Sequence, residues 1–305
     1  MSIRYEDRVA IVTGAGNGLG KQHALALADR GAKVVVNDLG GARDGVGTSS
    51  EAAREVVELI EAAGGHAIAH GANVADFEQV EDMVKQTMDK WGRVDILINN
   101  AGILRDKTFA KMDLDDFKAV MDVHLMGSVN CTKAVWEIMR DHEYGRIVMT
   151  TSSSGMYGNF GQSNYGAAKM AVLGLMNTLV LEGASRNIHI NALSPIAATR
   201  MTDDLLPEEY LKLLEPECVT AGLLTLCHED SPTKQILCAG AGGFASTRLF
   251  ETEGIYLGKK DQTPENILEQ WDSVNDISNQ QEMEAGSKQT EKFLMKAVAY
   301  IEAQQ

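Results

Sequence analysis

Tyr165 and Lys169 are four residues apart in a stretch with helical patterning, Ser163 to Ser185, so both side chains leave the same helix face. Ser152 precedes the tyrosine by thirteen residues, just past the apolar run Gly145 to Thr150, where a loop can bring its hydroxyl opposite the phenol. A phenol, an ammonium and a hydroxyl placed in this way suit hydride exchange between a ketone and a secondary alcohol. Reduction needs a proton donor at the developing alkoxide, and oxidation needs a base at the alcohol. A phenol with its ordinary pKa of about 10 is a poor base at neutral pH, and a neighbouring ammonium favours phenolate. Ser152 would polarise the substrate oxygen, while Lys169 would also hold a nicotinamide ribose. Ser153 and Ser154 are rivals that the spacing places second. A Tyr–Lys pair at this spacing is ordinary surface decoration by itself, so its weight depends on what accompanies it.

What accompanies it is a glycine turn. Thr13-Gly14-Ala15-Gly16-Asn17-Gly18-Leu19-Gly20 follows an apolar run and opens a helical pattern. Glycines let the backbone turn sharply and approach a pyrophosphate, whose charge is then received by the helix N-terminus. A lone glycine turn is a weak signal, and its strand-to-helix context is what strengthens it. The second apolar run ends in Asn37-Asp38, where a carboxylate would accept hydrogen bonds from the adenosine ribose and repel a 2′-phosphate. NAD is therefore favoured over NADP, with nearby Arg43 the opposing feature. Asn73-Val74 is placed to touch adenine. Asn99-Asn100-Ala101-Gly102 reads equally as an Asx-stabilised turn and as part of the cofactor edge.

These groups need a sheet to position them. Arg8 to Thr13, Ala32 to Asn37, His66 to His70, Val94 to Ile98, Gly145 to Thr150 and Ile188 to Leu193 read as strands, and Gln235 to Ala239 as a seventh. Helices are expected at Lys21 to Arg30, Ser49 to Ala63, Asp76 to Lys90, Asp113 to Arg140, Ser163 to Ser185, Leu205 to Leu214 and Thr220 to His228. Asp76 with Gln79 resembles a capping box. The alternation predicts an α/β protein with a doubly wound, Rossmann-type parallel sheet of about seven strands, and a ligand at the strands' carboxyl ends. The composition shifts after Gly240, so residues 1–240 are expected to form the NAD-binding and catalytic domain. Residues 241–305 would be an extension, with a short strand pair and a final amphipathic helix near Glu291 to Ala303.

Lys and Arg number 28 against 43 Asp and Glu, a formal charge of −15 that argues against nucleic acid or an anionic membrane as a partner. The four cysteines lie far apart with no CxxC pair, and no metal is called for because the nicotinamide supplies the redox chemistry. No apolar stretch reads as a membrane span, the N-terminus does not read as a signal peptide, and AYIEAQQ carries no peroxisomal tripeptide, so a cytoplasmic protein is expected.

TGAGNGLG, NNAG, a serine after the fifth strand and YGAAK together resemble the short-chain dehydrogenase/reductase family over about residues 6–240. VVVNDLGG, NNAGILRDKTF, DVHLMGS and ATRMT are similar to its (3R)-hydroxyacyl-CoA dehydrogenase group, found in type 2 peroxisomal multifunctional enzymes. The resemblance implies catalytic roles for Ser152, Tyr165 and Lys169. It implies NAD contacts at Gly14, Asn17, Gly18, Leu19, Gly20, Asp38, Asn73, Val74, Asn100, Ala101, Gly102, Tyr165, Lys169, Pro195, Ile196 and Thr199. His124 stands where many family members have an asparagine that helps hold a proton-relay water, although a lone helix histidine is more often structural. Asn73 stands where an aspartate is usual, and Ile196 where many relatives have glycine. The chain shows no hydratase or lipid-carrier region, so a stand-alone dehydrogenase is expected, a homodimer or tetramer whose extension covers the substrate site or the dimer interface. Two other readings stay open: a family member acting on a CoA-free alcohol such as a hydroxysteroid, and an NAD-binding regulatory protein without chemistry.

Overall fold

The computed structural model describes residues 2–45, 47, 49, 51–197, 209 and 212–304. Within them the apolar runs become β1 (Val9–Thr13), β2 (Lys33–Asn37), β3 (His66–His70), β4 (Ile96–Asn99), β5 (Gly145–Thr150), β6 (Ile188–Ile196) and β7 (Ile236–Gly240). Between them run α1 (Gly18–Asp29), α2 (Glu51–Ala62), α3 (Phe77–Trp91), α4 (Leu114–Met121), α5 (Gly127–Asp141), α6 (Ser153–Tyr157), α7 (Ser163–Gly183) and α8 (Pro216–Cys227). The expected helix Asp113 to Arg140 is α4 and α5 joined through a π-helical turn at Asp122–Met126. The expected helix Leu205 to Leu214 lies largely outside the described residues.

Seven strands pair in parallel in the order β3-β2-β1-β4-β5-β6-β7. The chain moves outward from β1 to β3, then returns to place β4 on the other side of β1. That reversal opens a crevice above the carboxyl ends of β1 and β4, the usual ligand position in such sheets. The sheet has eight strands rather than about seven. β8 (Gly243–Thr247) joins β7 through Ala241-Gly242, both at positive φ (48° and 77°), and a two-residue connection of this kind closes an antiparallel hairpin.

Alternate strand residues feed two cores. Ala10, Val12, Val34, Val36 and Ile98 pack under Ala24 and Leu27 of α1, Val56 and Ile60 of α2, and Leu223 of α8. Ile11, Val35, Leu97, Ile147 and Met149 face Val80 and Met83 of α3, Val135 and Met139 of α5, and Val172 and Met176 of α7. Because both faces are covered, the strands read as continuous apolar runs. Asp76 caps α3 through the Gln79 amide, and the Gln79 side chain returns to the Asp76 carboxylate while its oxygen accepts from the Asn73 amide.

By length and composition, the helix run Ser163–Arg186 is apolar enough to cross a membrane, which corrects the expectation that no stretch approaches that limit. In the fold it is a core helix, with Ala168, Val172, Leu173 and Met176 all buried.

The chain divides into two compact units, Met1–Ser246 and Thr247–Gln305. The second contains the antiparallel pair β9 (Phe250–Glu251) and β10 (Gln281–Glu282), short helices α9 (Pro264–Glu269) and α10 (Trp271–Val274), and α11 (Gly286–Glu302). It is held by Lys292 on Glu251 at 2.8 Å, Lys296 on Glu253 at 2.7 Å, and the Thr252 hydroxyl donating to the Val274 carbonyl at 2.7 Å.

Candidate active site

The glycine turn lies between β1 and α1, where Gly14 and Gly18 take φ values of +63° and +52°. Gly20 needs the absence of a side chain for a different reason: a Cβ there would collide with the Gly14 carbonyl oxygen and approach the Asn100 amide nitrogen to 2.6 Å. α1 can therefore start close against the strand, with its first backbone N–H groups turned toward the crevice. Asn17 takes the N-cap position with extended backbone and an exposed side chain, and Leu19 packs on the core.

Asp38 braces this turn. One carboxylate oxygen accepts from the Gly16 amide at 2.7 Å and the other from the Gly40 amide at 2.7 Å. Asn100 does the same from β4, donating through Nδ2 to the carbonyls of Thr13 at 2.9 Å and Gly14 at 3.1 Å. The Asn100 and Ala101 amides both donate to the Thr13 hydroxyl, at 3.0 and 3.1 Å. Asn99 is buried, its amide nitrogen against the Thr132 hydroxyl at 3.2 Å. The NNAG segment is thus the brace between β4 and the glycine turn, not a free Asx turn.

At the other end of the crevice Ser152 caps α6, accepting from the Ser154 amide at 3.2 Å. Burial pushes the Tyr165 phenol's pKa up, the neighbouring Ser152 hydroxyl opposes that rise, and the Asp106 carboxylate adds to it. Lys169 lies one turn along α7, buried, with Nζ donating to the Thr150 carbonyl at 2.7 Å and lying 5.5 Å from the centre of the Tyr165 ring. Burial brings its pKa down to about 7. The Thr151 hydroxyl donates to the Lys169 carbonyl at 2.7 Å and ties β5 to α7.

His124 sits in the π-helical turn, buried, with its ring edge-on to Tyr165. Its Nε2 lies 2.8 Å from the Ile103 carbonyl oxygen and 3.1 Å from the Ile103 amide nitrogen, so the tautomer decides which is bonded. Nδ1 is buried with no partner among the described residues. Burial first, then the charge of Lys169, holds the imidazole well below its ordinary pKa, so it is neutral. A Cβ on Gly102 would collide with this ring.

Asn73 and Val74 follow β3. The Asn73 side-chain oxygen accepts from the Ala75 amide at 3.1 Å, and the Val74 carbonyl accepts from Asn130 at 2.9 Å. Pro195 and Ile196 end β6, with Ile196 exposed, and Thr199 lies outside the described residues. The structure therefore brings Ser152, Tyr165, Lys169 and His124 together, and gathers Gly14, Gly16, Asp38, Asn100 and Ala101 around the turn. Sequence reading missed Thr13, Thr151, Asp106 and Gln162. Of these only Thr13, directly before the first glycine, carried a positional signal.

The short chain dehydrogenase family model matches residues 8–209. The chain is 49% identical over 280 residues to the peroxisomal multifunctional enzyme A of Dictyostelium discoideum, covering 92% of this chain and 62% of that protein. It is 46% identical over 280 residues to the peroxisomal multifunctional enzyme type 2 of Mus musculus, covering 91% of this chain and 38% of that one. The solved structure of the full-length peroxisomal multifunctional enzyme type 2 from Drosophila melanogaster superposes with a TM-score of 0.80 at 37% identity, covering 96% of this chain and 50% of that one. The chain thus spans between 38% and 62% of the length of these relatives. These relatives are named as peroxisomal enzymes, which lends no support to the cytoplasmic expectation.

Proposed function

Because the chain belongs to the short chain dehydrogenase family, an oxidoreductase class acting on CH–OH groups, we propose that it oxidises a (3R)-hydroxyacyl-CoA to the 3-oxo thioester with NAD. The observation that carries the reading is Lys169, buried one turn from Tyr165 on the same helix with Nζ 5.5 Å from the centre of its ring, beside a Ser152 hydroxyl that opposes the rise in the phenol's pKa. The residues at the other end of the crevice fit a dinucleotide. A glycine turn that a Cβ would fill opens α1, and Asp38 stands beside it, its charge placed to favour a ribose diol over a 2′-phosphate. Gly14, Gly18, Leu19, Asp38, Asn100 and Ala101 would hold the adenosine and pyrophosphate, with Asn73 and Val74 toward the adenine and Pro195 and Ile196 toward the nicotinamide.

When bound, NAD supplies the hydride acceptor. The chain's own residues manage the proton. The Tyr165 oxygen takes it from the substrate hydroxyl in oxidation and returns it in reduction. Ser152 holds the reacting oxygen against the phenol. The ammonium form of Lys169 favours phenolate, and with a pKa of about 7 Lys169 can hold or release a proton near neutrality. His124, neutral and edge-on to Tyr165, positions the phenol ring and grips the Ile103 backbone behind it. The choice of a CoA thioester is supported by the identity to multifunctional enzymes of peroxisomes, which also favours a peroxisomal over a cytoplasmic setting. We assign residues 241–305 to self-association, on the exposed apolar side chains Phe293, Leu294, Met295 and Ile301 of α11.

The test is NADH absorbance with a (3R)-hydroxyacyl-CoA, its 3S epimer and a 17β-hydroxysteroid, each with NAD and NADP. Reduction of NAD by the 3R thioester alone supports the reading. Turnover of the steroid alone keeps the Ser152–Tyr165–Lys169 assignment and replaces the substrate. Silence with all three, alongside NADH binding, favours a regulatory protein.

A further inference from the structure

Beyond Gly102 the chain continues through residues 103–108, and three bonds tie this segment to the start of α7. Asn164 donates to the Arg105 carbonyl at 2.9 Å, the Lys107 amide donates to the Gly161 carbonyl at 3.0 Å, and Gln162 Nε2 donates to an Asp106 carboxylate oxygen at 2.7 Å. The Gln162 side-chain oxygen accepts in turn from the Ser154 hydroxyl at 2.8 Å and the Asn159 amide group at 3.0 Å. Gln162 lies three residues before Tyr165, and Ser154 two after Ser152. The Asp106 carboxylate is thereby fastened to the rim that presents both reacting hydroxyls. Its charge is felt there, since it is one of the groups that hold the phenol's pKa up.

The cations beside Asp106 are engaged elsewhere. Arg105 and Lys107 both pair with Asp116, at 3.1 and 2.9 Å. Asp106 is exposed and its hydrogen bond is to a neutral amide, so its negative charge is not cancelled by a cation among the described residues. The three-carbon head of a 3-hydroxyacyl group is short. With C3 at Ser152 and Tyr165, the C1 group must lie within a few ångströms of that rim.

We propose that Asp106 is a specificity-determining residue that turns away free 3-hydroxy and 3-oxo carboxylates, so that the site takes the acyl group only when C1 is uncharged, as in a thioester or an ester. The proposal rests on the reading that C3 of such a group is the reacting carbon. It extends that reading by making the charge state at C1, rather than the CoA moiety, the property recognised beside the reacting oxygen. Two like charges several ångströms apart at a protein–water boundary discriminate by about tenfold or more.

The experiment uses a matched pair without CoA. Reduction of acetoacetate and of methyl acetoacetate by NADH is compared in the unmodified protein and in Asp106→Asn, which keeps an oxygen for Gln162 to bond. The ester should be preferred in the unmodified protein, and the ratio of kcat/KM values should fall by about tenfold in the variant. Raising the salt concentration should narrow the preference of the unmodified protein but not that of the variant, which a merely structural role for Asp106 would not produce. Where neither compound turns over, dissociation constants on the protein–NADH complex give the same ratio. An unchanged, salt-independent ratio overturns the proposal even if the (3R)-hydroxyacyl-CoA is oxidised. A ratio that collapses in a protein that ignores the thioester retains Asp106 and discards CoA as the substrate's carrier.

Discussion

The imidazole of His124 meets the phenol ring of Tyr165 edge to face, with centroids 5.2 Å apart and planes at 87°. The same imidazole grips the Ile103 backbone through Nε2. One buried side chain therefore connects helix α7 to the loop that follows β4, and the residue between them, Gly102, has room for no side chain.

Replacing His124 by Phe keeps an aromatic edge against Tyr165 but leaves the Ile103 backbone group without its partner. A buried polar group left unpaired costs about 1–3 kcal/mol. The expected result is a lower urea midpoint and a kcat reduced by about tenfold, with NADH affinity changed much less, since the imidazole lies away from the glycine turn. Parallel denaturation, turnover and NADH fluorescence titrations check this. An unaltered kcat in a folded variant would remove His124 from the positioning role.

Tyr165→Phe removes the one atom at which the substrate proton is handled while leaving the ring, His124 and Lys169 in place. Turnover should fall by a factor of about 100–10,000, the range expected for losing a positioned acid–base group. NADH binding should be nearly intact. A turnover number equal to that of the unmodified protein would show that the phenol is not the group that moves the proton.

Asp38 bonds the amides of Gly16 and Gly40, and in the proposed reading it also faces the ribose. Asp38→Asn retains an acceptor for one amide and loses the charge, so its main effect should be on the preference for NAD over NADP, narrowed by about tenfold or more. Asp38→Ala should add a stability loss of about 1–3 kcal/mol from the unpaired amides. The ratio of kcat/KM values for the two cofactors decides the first expectation, and the urea midpoint decides the second.

Acid should weaken the fold before the carboxylates titrate. His23 in α1 is buried against the Thr220 hydroxyl at 2.8 Å, and burial lowers its pKa to about 3; His124 is lowered for the same reason. Both are neutral in the folded state and take up a proton readily when unfolded. Their contribution is therefore complete above the unfolded pKa of about 6.5 and is lost as pH falls through it toward the depressed folded value. At about pH 5 His23 costs about 2 kcal/mol and His124 acts in the same direction, so the urea midpoint should drop well below its value at about pH 7.5. His23→Gln, which can still bond Thr220, should flatten that dependence, and an equally steep profile in the variant would assign the loss to other groups.

Much of this was legible from residue order alone. Gly14, Gly18 and Gly20 before a helical pattern, an aspartate at the end of the second apolar run, and Tyr165 and Lys169 one helical turn apart are local arrangements. Local geometry follows from spacing, so the parallel sheet and both ends of the crevice were already implied. Contacts between segments distant in sequence were not. Nothing in the pattern separates Asp106 from its charged neighbours Arg105 and Lys107, yet folding pairs those two with Asp116 and sends Asp106 to Gln162. Arg146, the second residue of β5, is buried on Tyr144, with its donors spent on the carbonyls of Gly145, Asn187, His228 and Glu229. Periodicity determines which face of an element is buried, whereas the partner of a polar side chain depends on packing that brings distant segments within about 3 Å. The sequence by itself therefore determined the sheet, the glycine turn and the spacing of Ser152, Tyr165 and Lys169, and the tertiary structure decided which charges found partners and which did not.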